Sequence, residues 1–276
     1  MGTSPSWESG DGMTELAKSS VFTTLRWDGG FSVAHFEEHL TRLKEHASRL
    51  SIEWPVDARE QALSTMLSVF SNVDESNQDD CVGLANLNLN LNGEMSASTR
   101  WKQVNSDSHL KITRVSATAI PAPRWKVGIT GCKHGDWQPY KDAGAQAAER
   151  GCEIALLIHN EAVVDCQLAT PLLLDDDGTA WYPAPSEGAL DSISLASIQS
   201  HLEREGIPLI PGRLTRNLLS RARALVAIGT GIGVVLITEL DGQPIGNDSD
   251  NFANLCFESF YQALESGWTD IQEESL

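Results

Sequence analysis

The chain has 276 residues, of which 20 are basic and 38 acidic, and its formal net charge is −18 at pH 7. Hydrophobic residues make up 41% and charged residues 21% of it, which excludes a disordered or fibrous chain and allows one large domain or two smaller ones. The acidic excess leaves no overall positive field for the phosphates of nucleic acid or for anionic lipid. We therefore expect a globular protein that binds neither nucleic acid nor membranes.

The five cysteines are spread along the chain without a CxxC pair. An odd number of widely spaced cysteines argues against a disulfide framework and against a zinc module, so no metal site is predicted. Residues 1–12 lack a basic region followed by an apolar run, the pattern of a secretory signal, and no stretch approaches the roughly 20 apolar residues of a membrane span. These features predict a cytoplasmic protein.

Strand and helix patterns alternate in the first part of the chain. Val21–Trp27 has the composition of a strand and is followed by a turn. Apolar residues then recur at 4-3-4-3 spacing, which places one apolar stripe on a helix over residues 35–50. Alternating apolar and polar residues predict a half-buried strand within residues 84–93. A second helix and a further strand are expected at residues 57–70 and 109–117.

A proline-containing stretch without periodic character marks residues 119–123 as a linker. It divides the chain into an N-terminal α/β domain, residues 1–118, and a C-terminal domain, residues 124–276. The C-terminal domain is predicted to contain helices at residues 140–150 and 194–205. Its strands are expected at residues 154–158, 161–174 (two runs), 179–182, 224–228 and 234–240.

Three places have the residues to bind an anion. The glycines of residues 229–233, GTGIG, let backbone N–H groups approach an oxyanion, although a tight turn explains them equally. The helix start at Ser192, Ile193 and Ser194 offers free N–H groups or a simple serine cap. Arg42 lies on the polar shoulder of the first helix, where a solvated charge is the ordinary reading.

Lys133 follows the run VGITGC of apolar and small residues. A lysine held near a strand end in the interior is desolvated and becomes a nucleophile that forms a Schiff base. The alternative is an exposed lysine in a loop.

Taken together, these segments resemble the class IV pyridoxal-phosphate enzymes, which include branched-chain and D-amino-acid aminotransferases and aminodeoxychorismate lyase. GCKHGDWQP is similar to their active-site lysine segment, and FTTLRWDGGFSVAHFEEHLTRL resembles their N-terminal signature. LDSISLASIQSHLEREGIPLI and LLSRARALVAIGTGIGVVLITELDGQPIG resemble the later segments. The resemblance implies a two-domain α/β (α+β) fold of the D-amino-acid-aminotransferase type with a C-terminal barrel-like domain.

The resemblance also implies a role for each matched residue. Lys133 would form the Schiff base with pyridoxal 5′-phosphate and shuttle the substrate α-proton. Asp165 stands where the family has a glutamate that keeps the pyridine nitrogen protonated. The cofactor phosphate would be held by Arg42, Ile193, Ser194, Thr230 and Gly231.

This chain departs from the family pattern at several of these positions. Asp165 is one methylene shorter than glutamate, a difference of about 1 Å that is able to cost on the order of a hundredfold in rate. The family's GITR is replaced by Ser192, Ile193, Ser194 and Leu195, which keeps the helix start but predicts a lower phosphate affinity. Thr23 replaces the glutamate of the N-terminal signature.

The resemblance implies an aminotransferase that moves an amino group between an amino acid and a 2-oxo acid, working as a homodimer that covers the site. A lyase acting on aminodeoxychorismate is the first alternative, favoured by His134 after Lys133, and a non-catalytic member of the fold is the second. Arg26 and Arg124 are candidates for binding a substrate carboxylate, and surface roles explain them equally well.

Overall fold

The computed structural model describes residues 20–73, 80–104, 111–126, 128–247 and 249–275. These residues form two compact units. The N-terminal unit comprises the described parts of residues 20–110, 132–136 and 262–275. The C-terminal unit comprises those of residues 111–131 and 137–261.

The helices and strands follow in chain order. The strands are β1 (Val21–Trp27), β2 (Ser32–Ala34), β3 (Cys81–Leu89), β4 (Met95–Gln103), β5 (Thr113–Pro121), β6 (Ile154–His159), β7 (Ala162–Cys166), β8 (Thr170–Leu174), β9 (Ala180–Pro183), β10 (Leu209–Gly212), β11 (Leu214–Thr215), β12 (Ala224–Gly229), β13 (Gly233–Leu240), β14 (Gln243–Pro244) and β15 (Trp268–Asp270). The helices are α1 (Phe36–Arg49), α2 (Ala58–Phe70), α3 (Gln138–Glu149), α4 (Ile193–Arg204), α5 (Arg216–Leu219) and α6 (Ser249–Ser266).

In the N-terminal unit, one antiparallel sheet carries a core on one face. Its described strands run in the order β15-β2-β1-β3-β4. Because side chains alternate across a strand, Val21, Leu25 and Trp27 point to the same face of β1 and pack with apolar residues of α1 and α2. The 4-3-4-3 spacing predicted for α1 is confirmed: Phe36, Leu40, Leu43 and Ala47 are buried in this core. Thr23 shares that face of β1 and therefore points toward the helices.

The predicted strand over residues 84–93 is wrong at its C-terminal end, since β3 stops at Leu89. The side chain of Asn90 accepts hydrogen bonds from the backbone N–H groups of Asn92 and Glu94, at 2.9 and 3.1 Å. This local bonding competes with the strand ladder and turns the chain into β4. The apolar–polar alternation of the sequence continues into this turn, so the pattern does not show where β3 ends.

In the C-terminal unit, a larger sheet curls toward closure. The path through its described strands is β10-β9-β8-β12-β13-β5-β6-β7-β11, with β14 pairing to β13. The two end strands of this path, β10 and β11, are separated in sequence by Arg213 alone. One residue spans only about 3.8 Å between neighbouring Cα atoms, so the two edges of the sheet must lie next to each other. The barrel-like C-terminal domain is thus confirmed, and apolar residues of these strands form its core.

The region between the two predicted domains belongs partly to a strand. β5 extends to Pro121, and Ala119 and Ile120 pair with Leu156 and Leu157 of β6 in a parallel ladder. A proline is tolerated at the last position of a strand, where its missing N–H breaks no central ladder bond. Residues 119–121 therefore form the end of β5, while the boundaries 1–118 and 124–276 stay a prediction. No helix among the described residues is long and apolar enough to cross a membrane.

Candidate active site

Lys133 is fixed to the edge of β1 in the N-terminal unit. The Phe22 N–H donates to the Lys133 carbonyl at 3.1 Å, and the Gly135 N–H donates to the Ser20 carbonyl at 2.8 Å. Between these bonds, Val21 and His134 form an antiparallel bridge. The segment around Lys133 thus extends the sheet by a short pairing, and its backbone is held as in a strand.

The side chain of Lys133 is half-buried beside an aromatic ring. Its Nζ lies 5.3 Å from the centroid of the Phe22 ring, within the range of a cation–π contact. The segment's pairing and this contact place the amino group at a defined position on the sheet, rather than in an exposed loop.

Helix α1 presents three buried polar side chains at 3-4 spacing. His39, Arg42 and His46 share one face, and only 2%, 6% and 1% of their surfaces are exposed. The solvated-charge reading of Arg42 is therefore wrong. His39 and His46 were not predicted as site residues, although polar residues spaced 3 and 4 apart beside the apolar stripe of an amphipathic helix are a usable signal.

Arg42, Thr23 and His39 form a directed chain of hydrogen bonds. The guanidinium donates from Nη2 to Thr23 Oγ1 at 2.9 Å, and Oγ1 lies 2.5 Å from His39 Nδ1. Because an arginine has only donors, the Thr23 hydroxyl accepts from Arg42. Arg42 Nη2 also lies 3.5 Å from His39 Nδ1, which favours the tautomer in which Nδ1 accepts the hydroxyl proton. Burial first, and then the charges of Arg42, His35 and Lys133, hold the pKa of His39 well below its usual value. We infer that His39 is neutral, with its proton on Nε2.

His46 meets the backbone of Lys133. Its Nδ1 accepts the Lys133 N–H at 3.2 Å. Burial lowers the pKa of His46 to about 3, and the neighbouring charges of Arg42, Arg49, Lys133 and His134 act in the same direction. At neutral pH the imidazole is therefore uncharged, and its Nδ1 keeps the lone pair that accepts this bond.

His134, the residue after the lysine, is fully buried. Burial lowers its pKa, while the nearby carboxylate of Asp136 acts in the opposite direction. His134 is therefore an interior residue of the N-terminal unit.

Asp165 lies on β7 in the C-terminal unit and is buried. It pairs with Leu157 of β6, and its Oδ1 accepts the Cys166 N–H at 2.9 Å. Burial and the charge of Asp165 raise the pKa of the Cys166 thiol well above its usual value. A buried carboxylate thus lies on β7 beside Leu157, on the face of the sheet opposite Leu156 and Cys166 of the core.

The start of α4 and the turn between β12 and β13 bring two hydroxyls together. Ser194 Oγ and Thr230 Oγ1 are 3.3 Å apart. Ser192 caps the helix by accepting the Leu195 N–H at 3.2 Å, so the serine-cap reading holds for that residue. The backbone N–H groups of Ile193 and Ser194 belong to the first turn of the helix, which has no preceding carbonyl for them.

The β12–β13 turn is as tight as its glycines predict. Gly229 pairs with Gly233 across the hairpin. A Cβ on Gly229 would lie 2.6 Å from the Leu168 carbonyl oxygen, and Gly233 has a φ of +68°. The turn reading is correct, and the same turn carries Thr230 and Gly231 toward the start of α4.

The two predicted substrate arginines lie in different settings. Arg26 is buried on β1. The burial of Lys102, together with the charges of Arg26 and Arg100, lowers the pKa of Lys102 to about 8. Arg124 is half-buried in the C-terminal unit and donates to the Glu187 carbonyl at 2.7 Å. That bond gives Arg124 a structural role.

The candidate residues thus form one group within each unit. The N-terminal unit holds Lys133, Arg42 and Arg26. The C-terminal unit holds Asp165, Ile193, Ser194, Thr230, Gly231 and Arg124.

A five-stranded sheet with two helices, followed by a nearly closed barrel-like sheet, is the fold of the class IV aminotransferases. The sequence matches the family model described as "Amino-transferase class IV" over residues 20–240. The chain belongs to this family of pyridoxal-phosphate-dependent enzymes. The predicted resemblance and fold class are confirmed.

Solved structures agree on the fold. A branched-chain aminotransferase from Thermoproteus uzoniensis, solved with norvaline, is 19% identical with a TM-score of 0.74, over 92% of this chain and 90% of that one. A hypothetical aminotransferase from Mycobacterium tuberculosis in its PLP-bound form is 18% identical with a TM-score of 0.71, over 93% and 95%. A proposed 4-amino-4-deoxychorismate lyase from Legionella pneumophila is 16% identical with a TM-score of 0.70, over 89% and 91%. A search of the curated proteins finds no significant match.

Proposed function

We propose that this protein is a pyridoxal-phosphate-dependent aminotransferase that uses Lys133 to move an amino group between an amino acid and a 2-oxo acid. The observation that carries the proposal is the fixed backbone of Lys133, bonded on its carbonyl side by Phe22 and on its N–H side by His46. An amine reacts efficiently with an aldehyde only when its position relative to that aldehyde is fixed.

The chemistry of the donor set fits the cofactor. The hydroxyls of Ser194 and Thr230, with the N–H groups at the start of α4, are suited to a phosphate. Asp165 supplies a buried carboxylate for a ring nitrogen, and Lys133 supplies the amine for an aldehyde. Gly231, in the same turn as Thr230, allows close approach of the backbone to the phosphate.

Arg42 is the proposed cation for that phosphate. It donates to Thr23, so the Thr23–His39 chain would hold the guanidinium in a fixed orientation.

When bound, pyridoxal phosphate supplies an electron sink for negative charge that develops on the α-carbon of an amino acid. Lys133 would hold the cofactor through its amine and the cofactor aldehyde, and its Nζ would accept the α-proton of the substrate as a general base. The Asp165 carboxylate would hold a proton on the ring nitrogen, and its shortness relative to glutamate predicts a slow enzyme. Arg26, buried on β1, is the proposed partner of the substrate carboxylate, with Arg124 as the weaker candidate.

A lyase acting on aminodeoxychorismate is the second candidate. It is favoured by His134, which follows Lys133 directly and is fully buried against β1. The two reactions differ in their products: transamination needs a 2-oxo acid as acceptor, whereas the lyase releases pyruvate without one. For either reaction we propose a cytoplasmic homodimer.

The first experiment is an absorption spectrum of the purified protein with added pyridoxal phosphate, before and after borohydride reduction. Lys133→Ala is the test variant, and Lys141→Ala, an exposed lysine on α3, is the matched control. We expect the wild type and the control to shift the absorption band of the free aldehyde to longer wavelength and to give a covalent adduct on the Lys133 peptide, and Lys133→Ala to show neither change. Failure of the wild type to form the adduct would leave a non-catalytic member of the fold.

A further inference from the structure

His46 holds the amide of the proposed reactive lysine. It lies on α1 four residues after Arg42, and its Nδ1 accepts the Lys133 N–H at 3.2 Å. The Phe22 N–H meets the Lys133 carbonyl from β1 at 3.1 Å. Both polar groups of the Lys133 backbone are thus bonded to elements of the same unit.

The direction of a lysine side chain is set first by its backbone. Four rotatable bonds separate Cα from Nζ, so a small rotation of the peptide units around Lys133 moves the amino group by more than an ångström. A misplacement of about 1 Å is able to cost on the order of a hundredfold in rate. The contact of Nζ with the Phe22 ring stabilises the far end of the side chain only weakly.

Only a neutral histidine can take this role. A protonated imidazole has two donors and no acceptor, so it would lose the Lys133 N–H and add a positive charge beside Lys133, Arg42 and Arg49. Burial of His46, with only 1% of its surface exposed, disfavours that charged form.

We propose that His46 is a positioning residue that orients the Lys133 amino group for Schiff-base formation through its hydrogen bond to the Lys133 amide. This inference rests on the proposed function. It assigns to α1 a second task besides the proposed binding of phosphate by Arg42.

Three substitutions of His46 distinguish loss of the hydrogen-bond acceptor from loss of side-chain packing. His46→Asn places an amide oxygen near the Nδ1 position, His46→Gln places it near the Nε2 position, and His46→Leu has a similar volume and no acceptor. Leu63→Ala, in the core of the same unit on α2, serves as a control for general destabilisation.

Two ligands distinguish positioning of the lysine from binding of the cofactor. Pyridoxal phosphate reports the rate of covalent trapping on Lys133 after borohydride reduction. Pyridoxine 5′-phosphate has the same ring and phosphate but an alcohol in place of the aldehyde, so its affinity reports binding alone. Hydrogen–deuterium exchange of the Lys133 amide reports the hydrogen bond in the protein without either ligand.

We expect His46→Leu and His46→Gln to slow trapping by about tenfold to a hundredfold and to speed exchange at the Lys133 amide, with pyridoxine 5′-phosphate affinity within about twofold of wild type. His46→Asn should restore most of the trapping rate, and Leu63→Ala should leave it unchanged. Wild-type trapping in His46→Leu or His46→Gln, or a loss of pyridoxine 5′-phosphate affinity as large as the loss in trapping rate, would overturn the inference while the proposed function stands. Should His46→Leu fail to fold, the contrast between His46→Asn and His46→Gln decides the matter. Absence of trapping in the wild type would instead overturn the proposed function, and this inference with it.

Discussion

Replacing Thr23 by valine tests the hydrogen-bond chain that holds Arg42. The change removes a fully buried hydroxyl that accepts from Arg42 at 2.9 Å and donates to His39 at 2.5 Å, and it preserves the shape of the side chain. A hydrogen bond to a charged group contributes about 1.5–3 kcal/mol and a neutral one about 0.5–1.5 kcal/mol. Valine favours a strand slightly more than threonine does, which offsets part of the loss. We therefore expect the free energy of unfolding to fall by about 2–3 kcal/mol.

Urea unfolding followed by tryptophan fluorescence measures this change, because Trp27 stacks on Phe70 and packs against Trp101 within the same unit. Thr24→Val is the matched control on the same strand, since Thr24 points to the opposite face and its hydroxyl accepts a 3.3 Å bond from Asn86. A loss below about 0.5 kcal/mol for Thr23→Val, or one equal to that of Thr24→Val, would refute the reasoning.

Three further predictions concern pH, the ring carboxylate and the tight turn. Burial lowers the pKa of His46 from 6.5 in the free side chain to about 3 in the folded protein. Between these pH values the unfolded chain binds more protons than the folded one, so the free energy of unfolding falls as the pH drops below about 6.5. At pH 5 this group alone costs about 2 kcal/mol, and urea unfolding of His46→Asn should show a correspondingly smaller loss between pH 7 and 5; an unchanged slope would contradict this. Asp165→Asn should lower any transamination rate by at least about a hundredfold while leaving covalent trapping on Lys133 intact, and a variant with full activity would show that the carboxylate does not serve the ring. Gly229→Ala should destabilise the protein by about 1–3 kcal/mol in thermal unfolding, because its Cβ would lie 2.6 Å from the Leu168 carbonyl oxygen, and an unchanged melting temperature would contradict that close approach.

Local patterns predicted the elements whose apolar faces pack directly on a core. The 4-3-4-3 stripe placed α1 to within a residue at each end. Polar-rich β4 escaped prediction because its outward residues are exposed and its inward ones only half-buried, which leaves little contrast between the two faces. No element after residue 240 was predicted, although α6 has buried Phe252, Cys256 and Phe260 at 4-4 spacing.

The prediction of the candidate site depended far more on the family resemblance than on local sequence patterns. Residue types alone did not decide whether Lys133 is a desolvated nucleophile or an exposed loop lysine, because its position comes from pairing with β1, more than a hundred residues earlier in the chain. Long-range pairing of this kind leaves no periodic trace in the sequence around it. The burial of His39 and His46 was not predicted. A histidine is buried beside an arginine only where its imidazole stays uncharged, and the local sequence does not show that condition.

The grouping of residues 132–136 with the N-terminal unit has a consequence for dissecting this protein. A fragment that ends at residue 118 would carry β1 without the segment that pairs with its edge, and β2 without its partner β15. The complementary fragment would carry Lys133 without Phe22 and His46, which bond its backbone. Neither half would preserve the lysine in its native setting, so a split-protein assay should regain trapping on Lys133 only when both fragments are refolded together.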